Sequence, residues 1–588
     1  MHDFKRRMGQ GFPGAGLSRL AMFCLFALLF AGLPAPAAAA DLTAADETLQ
    51  AAEVKAAAEN ILRNYQEAAM LYEEQDLRTG TVAELPVALS GEAQPVFRLA
   101  KEDLTLEQLR ENMIFLEKKA RFYSGMRQLQ EIYRTDLLLF YDLGEPELTE
   151  NTGRISVKET AQFHYTGSDR LSVYETYYTV RLVKPGDRWL VADVTDGSRF
   201  DKLYRDQGAA FDEGAALAEF AASLEREDCT VSYPYTPSAG EGRILYDGAS
   251  AAAYAYTYSR LTAGTPRSEF YNPLFVSYAR EGGDCMNFAS QCMWAGFGGS
   301  QDNEAAAGRA LPMDTEGDSQ WFGRSTSQGK INLSWVSCQS FRKYLTGSTG
   351  GTGLGGSNAA GDAGMYATIL DAASGSPLSG VTPEELVGAA AHVEGSGGSY
   401  SHAIVLTAAT GNKRSEIWFC GHTKDITHVK LGDYYIWPIK VYIPRCLRTG
   451  EGAVNPLRPE LLAPVAAGNA GWLSVRADTP QQKITITVTT PEGAVQRVAS
   501  ANETDLCRTE YTFSLPGLYR VECAAKAPDG SGWTASSYYV RCYVPLLSEE
   551  EAEDGDALSE EESVLEEEAE EPAAGEAPED FSAKKRRE

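Results

Sequence analysis

The stretch EGGDCMNFASQC, residues 281–292, sets an Asp and a Cys directly behind two glycines, at the head of an apolar run with helical spacing. A Cys at that position is either half of a disulfide or a nucleophile. Cys285 and Cys292 are seven residues apart, which along a helix is roughly 10 Å, whereas a disulfide needs Cα atoms within about 7 Å. The two cannot pair if the stretch is helical. At a helix N-terminus the Cys285 sulfur would meet unsatisfied backbone N–H groups and the positive end of the dipole, both of which favour the thiolate. Such a nucleophile needs a base, and the base needs an orienting group. Of six histidines in the chain, four fall between 392 and 428. SYSHAIVLTAAT reads as an apolar strand with His402 at its start, and EIWFCGHTKD as a second strand running to His422; paired as a hairpin around TGNKRS, they would set the two imidazoles on neighbouring strands.

Positioning these groups takes several elements. LYDGASAAAYAYTYSRL reads as a helix ahead of the Cys segment, so residues 240–450 form an α+β unit. Upstream, residues 41–230 carry two segments with helical spacing, AADETLQAAEVKAAAENILRNYQEAAMLYEEQ and LTLEQLRENMIFLEKKARFYSGMRQLQEIY. Alternating strands follow, broken at KPGD, a hairpin signal. Helices followed by an antiparallel meander resemble the cone-shaped NTF2-like fold. His164 is expected to be an ordinary strand residue. Downstream, residues 468–545 give short alternating strands; SLPGLYRVECAA and SYYVRCYV resemble the last strands of an immunoglobulin-like sandwich, where Cys507, Cys523 and Cys542 could supply one disulfide.

The termini bear on compartment and partners. Lys5, Arg6 and Arg7 precede the apolar run LAMFCLFALLFAGL and then PAPAAAAD, the pattern of a secretory signal peptide over residues 1–40. The expectation is an exported protein, extracellular or associated with the cell wall, without a membrane span after cleavage. Nine cysteines would then remain, an odd number that leaves at least one thiol unpaired. Residues 549–588 hold eighteen acidic and four basic side chains, −14 of the formal −29, so residues 548–588 read as a disordered acidic tail. So acidic a chain argues against nucleic-acid binding, which requires a basic footprint.

Five segments in order, YNPLF, GGDCMNFASQCMWAGF, SWVSCQSFRKYL, SHAIVLT and CGHTKD, resemble the Putative amidase domain family of secreted bacterial proteins, over roughly residues 243–445. That family belongs with the papain-like and NlpC/P60-like cysteine hydrolases, so the resemblance implies a multidomain α+β chain with a papain-like core. Carried onto this sequence, it implies Cys285 as nucleophile, His402 as base and His422 as the third catalytic residue, with Asp425 of the same motif as rival. The Cys285 backbone N–H would be one oxyanion donor. Met286 and Ala289 depart from the family's usual Thr and larger apolar residue, and a glycine-rich insertion, TGSTGGTGLGGSNAAGDAG, separates Cys285 from His402. The implied activity is hydrolysis of a peptide or amide bond by thiol acyl transfer, without a cofactor, with a peptide or peptidoglycan as substrate. One alternative is a non-catalytic wall- or glycan-binding protein with an amidase-like fold. Another is a zinc hydrolase using His392, His402, His422 and His428, although their spacing follows no established metal pattern. Asn287 and Gln291 could line the cleft or solvate the helix, and Trp335 reads as core.

Overall fold

The computed structural model describes residues 44–70, 97–99, 102–232, 243–279, 283–299, 321, 333–346, 364–394, 399–448 and 457–544. The expected leader, most of the glycine-rich insertion and the acidic tail lie outside them. Both N-terminal helical segments form: α1 is Ala44–Met70 and α2 Leu106–Leu129. Thr105 caps α2 reciprocally, its Oγ1 accepting from Gln108 N (3.2 Å) while Gln108 Oε1 accepts from Thr105 N (2.8 Å). The antiparallel strands β1 (Arg134–Leu143), β2 (Thr152–Tyr165), β3 (Leu171–Val183) and β4 (Leu190–Thr195) follow. The KPGD break is the β3–β4 turn, where Gly186 takes φ +139°. Val54, Leu62, Met113 and Leu116 of the helices close one face of these strands against Ile155, Val157, Val180 and Leu182. His164 lies on β2, its Nδ1 3.2 Å from Asp136 Oδ2.

The middle of the chain supplies α3 (Gly248–Thr257), α4 (Cys285–Gly296), α5 (Leu333–Val336) and α6 (Cys338–Thr346). It then adds β5 (Gly364–Ala372), β6 (Ala390–Glu394), β7 (Tyr400–Ala409), β8 (Ile417–Gly421), β9 (Ile426–Lys430), a short α7 (Leu431–Tyr434) and β10 (Ile439–Arg448). Their order is β9-β8-β7-β6-β10-β5, and β9 joins β3 at Thr427 opposite Val173, so one thirteen-stranded sheet runs through both regions. β7 is apolar on both sides because both are covered. Ala403 and Val405 pack with α3, α4 and α6, whereas Ile404 and Leu406 share a core with Phe163, Tyr165 and Tyr174 of the N-terminal region. Truncating Ile404 or Leu406 to Ala removes about 2–5 kcal/mol.

The last region is a separate six-stranded sheet. It includes β11 (Leu457–Glu460), β12 (Ala470–Thr489), β13 (Val495–Thr512), β14 (Gly517–Lys526) and β15 (Trp533–Tyr543), closed around Val475, Ile486, Tyr519 and Val540. Arg541 Nε donates to Thr257 O (2.9 Å), fastening it to α3. The disulfide expected here is not formed; all nine described cysteines are free thiols. For Cys523 and Cys542 the register gives the reason: Cys542 pairs with Gly517, six residues along β14 from Cys523, or roughly 20 Å at strand rise. The chain is thus mixed α+β with largely antiparallel sheets.

Candidate active site

Helix α4 is buried along its length except at its first residue, Cys285. Its start is held by the β8–β9 turn. Gly283 takes φ +134°, and a Cβ there would come within 3.1 Å of Thr423 Oγ1, which explains a glycine just before the Asp. Thr423 Oγ1 accepts from Asp284 N (2.9 Å). The Asp284 carboxylate then gathers the loop: Oδ1 accepts from Tyr278 N (2.7 Å) and Asn287 Nδ2 (2.9 Å), and Oδ2 lies 3.0 Å from His422 Nδ1. Asn287 also bonds Val276 O and, through Oδ1, Trp335 Nε1. Gln291 Oε1 accepts from Tyr254 Oη (2.8 Å). Asn287, Gln291 and Trp335 are therefore packing and bonding groups that fix α4.

The Cys285 thiol is held well below the ordinary thiol range. The largest cause is a hydrogen bond from the Cys338 thiol; the His402 imidazole, by hydrogen bonding and charge, and Ala403 N–H act in the same sense, against the opposing effect of burial. Cys338, first residue of α6, is pushed well up because its proton is what Cys285 receives. The chain therefore carries a thiolate-favouring cysteine at a helix N-terminus beside a histidine, the two separated by 117 positions in sequence. His402 Nε2 is buried and has no hydrogen-bond partner among the described residues.

His422 occupies a different place from that of an orienter of His402. Its Nδ1 faces Asp284, its Nε2 lies 2.7 Å from Tyr258 O, and its ring is stacked between Phe288 (3.9 Å between centroids) and Tyr271 (4.2 Å). Asp425 is likewise occupied: it accepts from Arg267 Nε (2.8 Å) and Tyr271 Oη (3.1 Å), and it shares Arg260 and Arg267 with Glu175 of β3. Neither side chain bonds to His402 in these arrangements. His392 Nε2 contacts Met286 Sδ (3.3 Å), and His428 lies between Tyr256 Oη (2.9 Å) and Ser168 Oγ (3.3 Å); burial pushes both imidazoles down to about 3, as neutral core groups. Among the described residues no three His, Cys, Asp or Glu side chains are placed to hold a metal ion, and no helix is long and apolar enough to cross a membrane.

Cys338 and Asp284 were both visible in the sequence, within SWVSC and GGDC, but nothing in their spacing assigned them a part beside Cys285. Residues 245–443, about a third of the chain, match the sequence profile of the family described as "Putative amidase domain". By that match the stretch is similar to amidase-type hydrolase domains. No curated protein matched the chain.

Proposed function

We propose that the protein is a secreted cysteine amidase or peptidase with a papain-like core, acting on a peptide or amide bond by thiol acyl transfer. The observation that carries this reading is that the one part-exposed residue of a buried helix is a cysteine with a depressed thiol, next to His402. His402 takes the thiol proton, the Cys285 sulfur attacks the amide carbonyl carbon, and the negative oxygen forms beside the backbone N–H at the head of α4. The tetrahedral intermediate expels the amine, which receives the proton from His402. Water, deprotonated by the same imidazole, then cleaves the thioester and restores the thiol.

The leader-like N-terminus supports export, and export makes wall peptide a natural substrate. The helices closed over the β1–β4 meander support the NTF2-like reading of the first region, and the six-stranded antiparallel unit the immunoglobulin-like reading of the last. Digestion of purified peptidoglycan and of model peptide amides by wild-type and Cys285→Ala protein, with mass analysis of products, tests the function. New amine and carboxylate ends formed by wild type alone are expected; equal products from both would overturn the thiol mechanism.

A further inference from the structure

A cavity of about 250 Å3 lies between the N-terminal region and the start of β7. Its lining runs from Tyr65 of α1, Tyr123 of α2 and Tyr178 of β3 across to His402, Lys424 and Tyr435. The volume falls just short of the roughly 300–1,000 Å3 of drug-sized sites, which suits one residue-sized group. Its lining includes His402, the imidazole that helps to hold the Cys285 thiol low, and Tyr435.

One lining side chain, Lys424, marks it as more than a packing gap. The other lining cations are matched by acids: Arg127 and Arg134 both bind Asp433, and Arg199 binds Glu394 at 2.7 Å. Asp196, also in the lining, is taken by Lys119 at 3.0 Å. Lys424 Nζ instead donates to the Tyr434 hydroxyl (3.2 Å) and lies 5.5 Å from that ring's centre, with no described carboxylate within 4.0 Å. Tyr434 holds its ammonium above the ordinary lysine range, and Asp196 adds to this from further off. An ammonium has three donors, so capacity for an anion remains.

The chain itself aims Lys424 there. Its neighbours Thr423 and Asp425, both at positive φ, are tied the other way, to Asp284 and to Arg267 with Tyr271. One turn thus pins the nucleophile's helix with His422 and Thr423 and turns Lys424 toward the cavity.

We propose that this cavity is a substrate subsite that reads a carboxylate, with Lys424 as the anion-binding group and the tyrosines of the N-terminal region as its far wall. The inference rests on the cysteine-amidase reading: the substrate is an amide whose residue next to the scissile bond bears a free carboxylate. The N-terminal region is then part of the specificity machinery.

Two experiments separate this proposal from the reading beneath it. In the first, kcat/KM is measured for peptide amides with a free α-carboxylate and for their carboxamide-capped twins. Wild type should favour the acid by about 10- to 100-fold, the worth of a charge-assisted hydrogen bond. Lys424→Met should bring that ratio near one, mainly through KM, and Lys424→Arg should restore part of it. Equal rates on both substrates in wild type, or an unchanged ratio in Lys424→Met, overturns the proposal. The second needs no catalysis: calorimetric titration of full-chain Cys285→Ala protein with N-acetyl-alanine and N-acetyl-alanine amide. Binding of the acid alone, lost in the double variant with Lys424→Met, supports the subsite even if no hydrolysis is found. Absent or equal binding, with melting temperatures unchanged, overturns it.

Discussion

Asp284 Oδ2 lies 3.0 Å from His422 Nδ1, and the residue after Asp284 is the cysteine that opens α4. With His422 Nε2 on Tyr258 O and Nδ1 on Asp284, neither ring nitrogen bonds to His402. His422→Ala strips a buried carboxylate of a partner and opens a gap between Phe288 and Tyr271. It should destabilise the protein by about 2–4 kcal/mol, from charged hydrogen bonds worth about 1.5–3 kcal/mol each plus lost packing. Chemical denaturation followed by fluorescence measures the loss. If the side chain only positions, the thiol alkylation profile at low temperature should keep its shape. A stable His422→Ala protein with activity abolished would return the third catalytic role to this histidine.

Cys338 should tune the nucleophile. Its S–H is the largest influence lowering the Cys285 thiol, so Cys338→Ala should raise the Cys285 pKa and move the iodoacetamide rate-versus-pH midpoint upward. In wild type, Cys285 should label ahead of every other cysteine. The depressed thiol also contributes stability that is present above the ordinary thiol pKa and lost as pH falls through its folded value. A midpoint that stays in place or falls in Cys338→Ala would show that the contact does not act on the thiolate.

Much of this was legible because it is periodic or local. The two long helices, the break at KPGD, the helix headed by Cys285 and the His402 strand all follow from spacing that any fold must respect. What escaped depends on tertiary position. Ile404 and Leu406 read as generic strand residues, yet they bury Phe163 and Tyr174 from more than 200 positions upstream, so the two regions share a core. His422 sits one residue past a strand, as spacing implied, but which neighbour its ring meets is decided by the left-handed turn at Thr423 and Asp425. Asp425 was open as a rival for the same reason. Its clasp by Arg267 and Arg260 is a long-range charge network that no local pattern encodes.

Cys285 and His402 should behave as a unit. Cys285→Ala and His402→Ala should each remove nearly all amide hydrolysis, and the double variant should be little worse than either, because groups that act in one step are not additive. Asp425→Asn should instead show its effect as a lowered melting temperature, since it leaves Arg260 and Arg267 with less buried countercharge. Steady-state kinetics beside thermal scans separate the two outcomes. Undiminished turnover in His402→Ala would leave the thiol without its base.

Glu159 gives a prediction about stability rather than catalysis. It is fully buried on β2, bonded to Gln66 Nε2 at 2.7 Å, and burial pushes its carboxyl up to about 8 against hydrogen bonds that pull the other way. A carboxyl raised in the folded state stabilises fully only below its unfolded value near 4.5. From there the contribution falls as pH rises toward 8, because unfolding releases the proton. Over such a span the loss is on the order of 4–5 kcal/mol, at about 1.4 kcal/mol per pH unit. Glu159→Gln keeps the shape and the acceptor for Gln66 but cannot ionise. It should be near neutral at pH 4 and clearly stabilising at pH 8, flattening the fall of melting temperature with pH. Parallel curves for the two proteins between pH 5 and 8 would mean that Glu159 is ionised in the folded protein and that its tyrosine-lined pocket tolerates the charge.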